Sequence, residues 1–234
     1  MITPLTADVV RTNVERVREE IAQAVSRSAT AGEQGRREVE VLAATKYVSS
    51  DDLPVLAEAG IRLVGENRAQ DLQAKVAAHG DLFAWDFIGA LQSRRVRLIV
   101  PHVRLIHSVA SRSALRELAR HRDRARPGLA ILIEVNVSGE PGKAGIAPEA
   151  LEDFIACSPV PVAGLATMPP LVSEPEASRR WFAALRELAR GRGLEHLSMG
   201  TSQDYLVAVE EGATIVRIGT RLYHEQPRPP AAND

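Results

Sequence analysis

The sequence predicts a single (β/α)8 barrel preceded by one extra helix. Three observations predict it: eight short apolar runs recur between residues 39 and 220, stretches with helical spacing separate them, and no glycine-rich turn follows the first run. Strands that alternate with helices pair in parallel, because a parallel connection needs a crossover. Eight such strands close a barrel, and 234 residues is near the roughly 250 usual for one. An open doubly wound sheet would carry a glycine-rich phosphate turn after its first strand, where this chain has TKYVSS.

The elements follow in order. Val10, Val14, Val17, Ile21 and Val25 form a helical stripe, so a helix is expected over about residues 7–28. TAGEQGRR reads as a loop. The strand candidates are VEVLAAT (39–45), RLVGEN (62–67), WDFIGA (85–90), RLIHSVA (104–110), LAILIEVN (129–136), VAGLATM (162–168), HLSMG (196–200) and TIVRIGT (214–220). Helical spacing appears at Leu53, Leu56 and Ala57, at Leu115, Leu118 and Ala119, and most clearly at Trp181, Leu185 and Leu188. Gly60, Gly191 and Gly212 stand where helices end. One domain is expected over 1–225, with the barrel at about 39–223 and a flexible, Pro-rich tail at 226–234.

Composition narrows the function classes. Forty-five per cent of residues are hydrophobic, 25% are charged and the net charge is −1, so no global field draws the chain to nucleic acid or an anionic membrane. No apolar run is long enough to span a bilayer, and the N-terminus lacks the apolar core of a signal peptide. Cys157 is the one cysteine, which rules out an intrachain disulfide and fits a reducing compartment. Six scattered histidines show no metal-ligand spacing. A cytoplasmic monomer is expected, with no metal and no nucleic-acid or membrane partner.

In a barrel the C-terminal strand ends carry the site. Those ends offer Lys46, then Glu66 and Asn67, His107 and Ser108, Glu134 and Asn136, Met168, SMGTS (198–202) and RIGT (217–220). Lys46 is the reactive group, expected in a buried setting where burial and Arg217 would both lower its pKa. The loops after strands seven and eight are where barrels frequently build a phosphate site. There Gly219 admits backbone close to a ligand, Thr220 adds a hydroxyl and an N–H, and Ser202 would cap a helix starting near Gln203. An amine plus a phosphate cradle points to a phosphorylated aldehyde or ketone held as a Schiff base. Arg217 shares the barrel-facing parity of Gly219 and would face the ligand's ring or carbonyl. Against a pyridine nitrogen it would leave that nitrogen unprotonated and weaken the electron sink. On the residues alone, blander roles stay open. Lys46 reads as a surface lysine, Arg217 as a salt bridge, Met199 as barrel packing, Asn67 as a strand-end hydrogen bonder and His107 as a core or rim histidine.

The motifs TKYVS, GENRAQDL, FIGALQSRRV, IHSVAS, VNVSGEPGKAG, GLATM, LSMGTSQDY and VRIGTRLY, in order over residues 39–223, resemble the pyridoxal phosphate homeostasis proteins, the YggS/PROSC family. That resemblance implies a barrel akin to the N-terminal domain of alanine racemase, with pyridoxal 5′-phosphate on Lys46. It implies Asn67 in the pocket, Met199, Gly200 and Ser202 in the strand-seven loop, Gly219 and Thr220 in the phosphate cradle, and Arg217 at the pyridine nitrogen. It further implies a cofactor-binding protein in vitamin B6 homeostasis without established catalysis, with apo enzymes that use the cofactor as recipients. The chain departs from the pattern at Ala90, at Ser93-Arg94-Arg95 and at His224.

The rival reading is an enzyme, either an amino-acid racemase-like protein or a Schiff-base aldolase. A racemase would need the second, β-rich domain that supplies a tyrosine base, and the chain runs only about a dozen residues past strand eight. An aldolase would need an acid/base partner for Lys46, and only Glu66 and Glu134 are candidates.

Overall fold

Eight parallel strands close on themselves in sequence order, from β1 (Glu40–Ala44) through β2 (Leu63–Glu66), β3 (Ala84–Phe87), β4 (Leu105–Val109), β5 (Ala130–Glu134), β6 (Val162–Ala166) and β7 (His196–Thr201) to β8 (Ile215–Ile218). In this computed structural model residues 5–28 and 38–224 are described. The loop TAGEQGRR and the 226–234 tail both lie outside them. Each strand begins within one residue of its apolar run, and four of the runs (those of β3, β5, β6 and β8) extend two or three residues past the strand end. Strands covered by helices on one side and by the barrel interior on the other are apolar on both faces, so the runs mark them directly.

The helices are α1 (Ala7–Ser26), α2 (Leu53–Glu58), α3 (Ala69–His79), α4 (Val96–Ile99), α5 (Arg112–Arg120), α6 (Leu151–Ala156), α7 (Arg179–Arg190), α8 (Tyr205–Glu210) and α9 (Thr220–Tyr223). Helix α1 buries Val10, Val14, Val17 and Ile21 along the predicted stripe and packs on α8, α9 and α2. Its Asn13 donates from Nδ2 to the main-chain oxygens of Leu222 (3.2 Å) and His224 (2.9 Å), tying the helix to the segment after β8. No helix among the described residues is long and apolar enough to cross a membrane.

The core has two compartments. Leu42, Leu105, Leu132, Ala166 and Ile215 cluster inside the barrel. The larger cluster, including Ala43, Val64, Ile131, Leu197, Met199 and Val216, lies between the strands and the helices. Side chains alternate between the compartments with the period of two that a strand imposes. That alternation decides which strand-end residues reach the mouth.

Candidate binding site

Strand β8 shows the alternation most plainly. Ile215 belongs to the inner cluster, so Arg217, two residues on, points the same way. Its Nη1 donates to the Ser198 hydroxyl (3.0 Å) and its Nη2 to the Thr167 carbonyl (2.8 Å). Its Nε is buried and has no partner. Burial pulls the guanidinium below its ordinary pKa, opposed by the charges of Glu134 and Asp204. Glu134, at the end of β5, is in turn pushed up by burial and held down by Arg217.

Lys46 stands two residues past the end of β1, and the buried setting expected for it is not found. Its side chain is exposed, with the ammonium 4.8 Å from the centre of the Tyr47 ring. The chain leaves the sheet at Thr45, which is itself buried, and turns outward. Asn67 follows β2, half-buried, with its Oδ1 buried and without a partner. Two buried polar atoms left open at one barrel end, Arg217 Nε and Asn67 Oδ1, are what a site awaiting a polar ligand presents.

The cradle is built by the loops after β7 and β8. The Gly219 N–H donates to Ser202 Oγ (3.2 Å). Ser202 does not cap a helix: α8 begins at Tyr205 behind Asp204, whose carboxylate accepts instead from the Thr201 N–H (2.8 Å) and hydroxyl (3.1 Å). The Ser202 hydroxyl is thereby free to bridge to β8. A Cβ built on Gly219 meets nothing closer than Ala44 Cβ at 3.7 Å, so the protein's own packing does not require glycine there. Gly200 differs: its φ is +88°, and a Cβ would lie 2.6 Å from Ala208 Cβ and 2.9 Å from Tyr205 Cα. Thr220 is exposed at the start of α9. A cavity of about 580 Å3 runs beside this cradle, bounded by Lys143, Met168, Thr201, Ser202, Asp204 and Arg221. A larger one, about 840 Å3, is the seam between α1 and the barrel wall at the opposite end, far from these strand ends.

Two expectations from the sequence are corrected. Met199 packs in the outer cluster, because its neighbour Ser198 takes the inward position, so its side chain does not face the mouth. Glu66 is not available as an acid/base partner for Lys46. Gly65 faces the interior, where a Cβ would strike Leu42 Cδ2 at 2.4 Å. Glu66 therefore faces outward, ion-paired with the buried Lys75 of α3 and accepting from the Thr45 hydroxyl (2.7 Å).

Sequence reasoning missed Lys75 and Ser198, and treated His107 as bystander. Lys75 was signalled by its place on the buried face of α3, three residues after Leu72 and six after Ala69. No cluster of metal-ligating side chains occurs among the described residues.

Comparison with known proteins places this arrangement. The family model for the alanine racemase N-terminal domain matches residues 38–227. A pyridoxal phosphate homeostasis protein of Aquifex aeolicus is 38% identical over 91% of this chain and 96% of its own. A solved structure of an unknown protein from Bifidobacterium adolescentis is 30% identical, covers 93% of this chain and 95% of its own, and superposes with a TM-score of 0.80. PipY of Synechococcus elongatus, solved with PLP bound, is 30% identical with a TM-score of 0.70 over 87% of this chain and all of its own.

Proposed function

Because this chain belongs to the alanine racemase N-terminal domain family, and within it to the pyridoxal phosphate homeostasis proteins, we propose that its barrel mouth binds pyridoxal 5′-phosphate, held on Lys46 as a Schiff base. The protein then serves vitamin B6 homeostasis as a carrier, without catalysis of its own. The observation that carries the reading is the buried, unpartnered Nε of Arg217, at the C-terminal strand ends that also carry Lys46 and the Ser202–Gly219 cradle.

The residues present suit the cofactor. When bound, it supplies an electrophilic aldehyde and a conjugated pyridine ring. Lys46 would hold the cofactor through its side-chain amine, the exposed nucleophile at this end of the barrel. Ser202 and Thr220 would offer hydroxyl donors and Thr220 its N–H to the phosphate, with Gly219 admitting it close to the backbone, and charge-assisted hydrogen bonds hold such a group well. Arg217 is a donor only. Facing a ring nitrogen, it leaves that nitrogen as an unprotonated acceptor, and the ring is a poor electron sink. Gly200 and Asn67 complete the pocket: the glycine lets the β7 loop lie against α8, and the asparagine offers its open oxygen. Apo enzymes that need the cofactor are the proposed recipients.

The test is the visible spectrum of the purified protein with cofactor, before and after borohydride, followed by peptide mapping. A band lost on reduction with the label on Lys46 is expected; a label on another lysine removes the assignment. One observation favours the enzyme reading: Glu134, its carboxyl pushed up by burial, sits within the field of Arg217. Cofactor-dependent deuterium exchange into alanine or serine, above that of free cofactor and lost in Glu134→Gln, would support it.

A further inference from the structure

A continuous column of polar side chains runs down the barrel interior from Arg217. Arg217 Nη1 donates to Ser198 Oγ at 3.0 Å, Ser198 Oγ lies 2.8 Å from His107 Nδ1, and His107 Nε2 lies 3.1 Å from Asp86 Oδ2. Asp86 also accepts from Arg104, Nε to Oδ1 at 2.9 Å, and Arg104 forks onto Glu40 at 2.8 and 2.7 Å. Ser198, His107 and Asp86 are buried. Nothing apolar interrupts the line.

The donors and acceptors fix its direction. An ionised Asp86 only accepts, so His107 carries its proton on Nε2. The bare Nδ1 then accepts from the Ser198 hydroxyl, whose oxygen accepts from Arg217. Charge alternates along the column: Glu40 negative, Arg104 positive, Asp86 negative, His107 neutral, Arg217 positive. Burial keeps His107 neutral against the pull of Asp86, and Arg217 and Arg104 reinforce burial.

We propose that Ser198, His107 and Asp86 are positioning residues for Arg217: the column fixes the plane of the guanidinium, relays to it the counter-charge of Asp86, and so sets the pH range over which the bound cofactor's absorbance changes. The proposal rests on the cofactor reading above. Other charged groups facing Arg217 are Glu134 of β5 and Asp204 of the β7 loop; those facing His107 are Asp86, Arg104 and Arg217. None of them replaces Ser198 as the contact between the two.

Three variants dissect the column. Ser198→Ala removes the contact to Arg217. His107→Gln keeps a donor for Asp86 and loses the upper bond. His107→Asn keeps an acceptor for Ser198 and loses the lower bond. Each is titrated with pyridoxal 5′-phosphate, and its visible absorbance is followed against pH, alone and with Arg217→Lys. Circular dichroism first confirms the fold, and Ser198→Ala, which deletes one oxygen, is the variant retained if the histidine changes unfold the chain.

A shifted midpoint of the absorbance titration and about threefold to tenfold weaker binding are expected for His107→Gln, which loses one neutral hydrogen bond, and an equal or larger effect for Ser198→Ala, which removes the charge-assisted bond from Arg217. His107→Asn should shift the midpoint with little loss of affinity. All three effects should vanish once Arg217 is Lys. Shifts that persist undiminished in Arg217→Lys, or a wild-type titration unmoved in every variant, would overturn the column's role and leave the cofactor reading standing. A wild-type protein that binds no cofactor would instead overturn the reading beneath it, and the proposal with it.

Discussion

Lys75 Nζ donates at 2.9 Å to the main-chain oxygen of Thr45, the residue immediately before Lys46. The same ammonium is ion-paired with Glu66, which also accepts from the Thr45 hydroxyl and, at 3.2 Å, from the Asn67 N–H. One buried pair thus anchors the ends of both strands that present Lys46 and Asn67.

Lys75→Met should therefore strand a buried carboxylate. Removing one partner of a buried pair costs about 3–5 kcal/mol, a fall in melting temperature on the order of 10 °C for a chain of this size. Thermal unfolding of the variant measures it. The double variant Lys75→Met, Glu66→Leu should recover much of the loss; no recovery would mean that the lysine stem, not the charge, carries the effect.

Lys46→Ala should leave stability within about 0.5 kcal/mol, since the side chain is exposed. It should abolish the visible band of the cofactor complex. Spectra and melting curves on the same sample separate the two outcomes, and a surviving band would place the Schiff base elsewhere.

Gly200→Ala and Gly219→Ala should behave oppositely. The first puts a Cβ on a left-handed residue and into Ala208, so strain and overpacking together should cost about 2–4 kcal/mol. The second meets only ordinary contacts at a φ of −119° and should leave stability unchanged while it fills the cradle. Binding of pyridoxal 5′-phosphate to Gly219→Ala should then approach that of phosphate-free pyridoxal, as fluorescence titration would show. Full affinity in that variant would remove Gly219 from the phosphate site.

Stability should fall as the solution is acidified. His107 takes up a proton less readily folded than unfolded, because burial opposes the charge. As pH drops through about 6.5 the unfolded chain binds the extra proton, and the folded state loses ground. His102, also pushed down by burial, adds to this slope, whereas Glu134, pushed up, acts in the opposite sense. The melting temperature should decline between about pH 7.5 and about 5.5, and His107→Asn should flatten the decline. An unchanged slope would assign the loss to His102 or elsewhere.

The strands were legible because burial on both faces demands continuous apolar runs, and α1 because its stripe repeats at helical spacing. Counting back from Gly219 turns Arg217 toward the barrel interior, where its side chain meets Ser198 and Thr167. The same counting applied to β2 would have turned Gly65 inward and Glu66 outward. Applied to β7 it would have chosen Ser198 over Met199. What no local pattern carries is the meeting of residues distant in the chain: His107 with Ser198, or Lys75 with the carbonyl of Thr45. The helix expected near Gln203 began later because Asp204, not Ser202, binds the turn ahead of it.

The ring closes between β1 and β8, Glu40 beside Ile215 and Leu42 beside Arg217. During synthesis the outer edge of β1 therefore waits, unpaired, while six other strands are made, and α1 waits with it for α8 and α9. An open strand edge invites pairing with another chain, and contacts so far apart in sequence form slowly. The final strand, bringing Arg217 with it, thus both shuts the barrel and completes the mouth: a nascent chain halted before β8 would be aggregation-prone and unable to assemble the site.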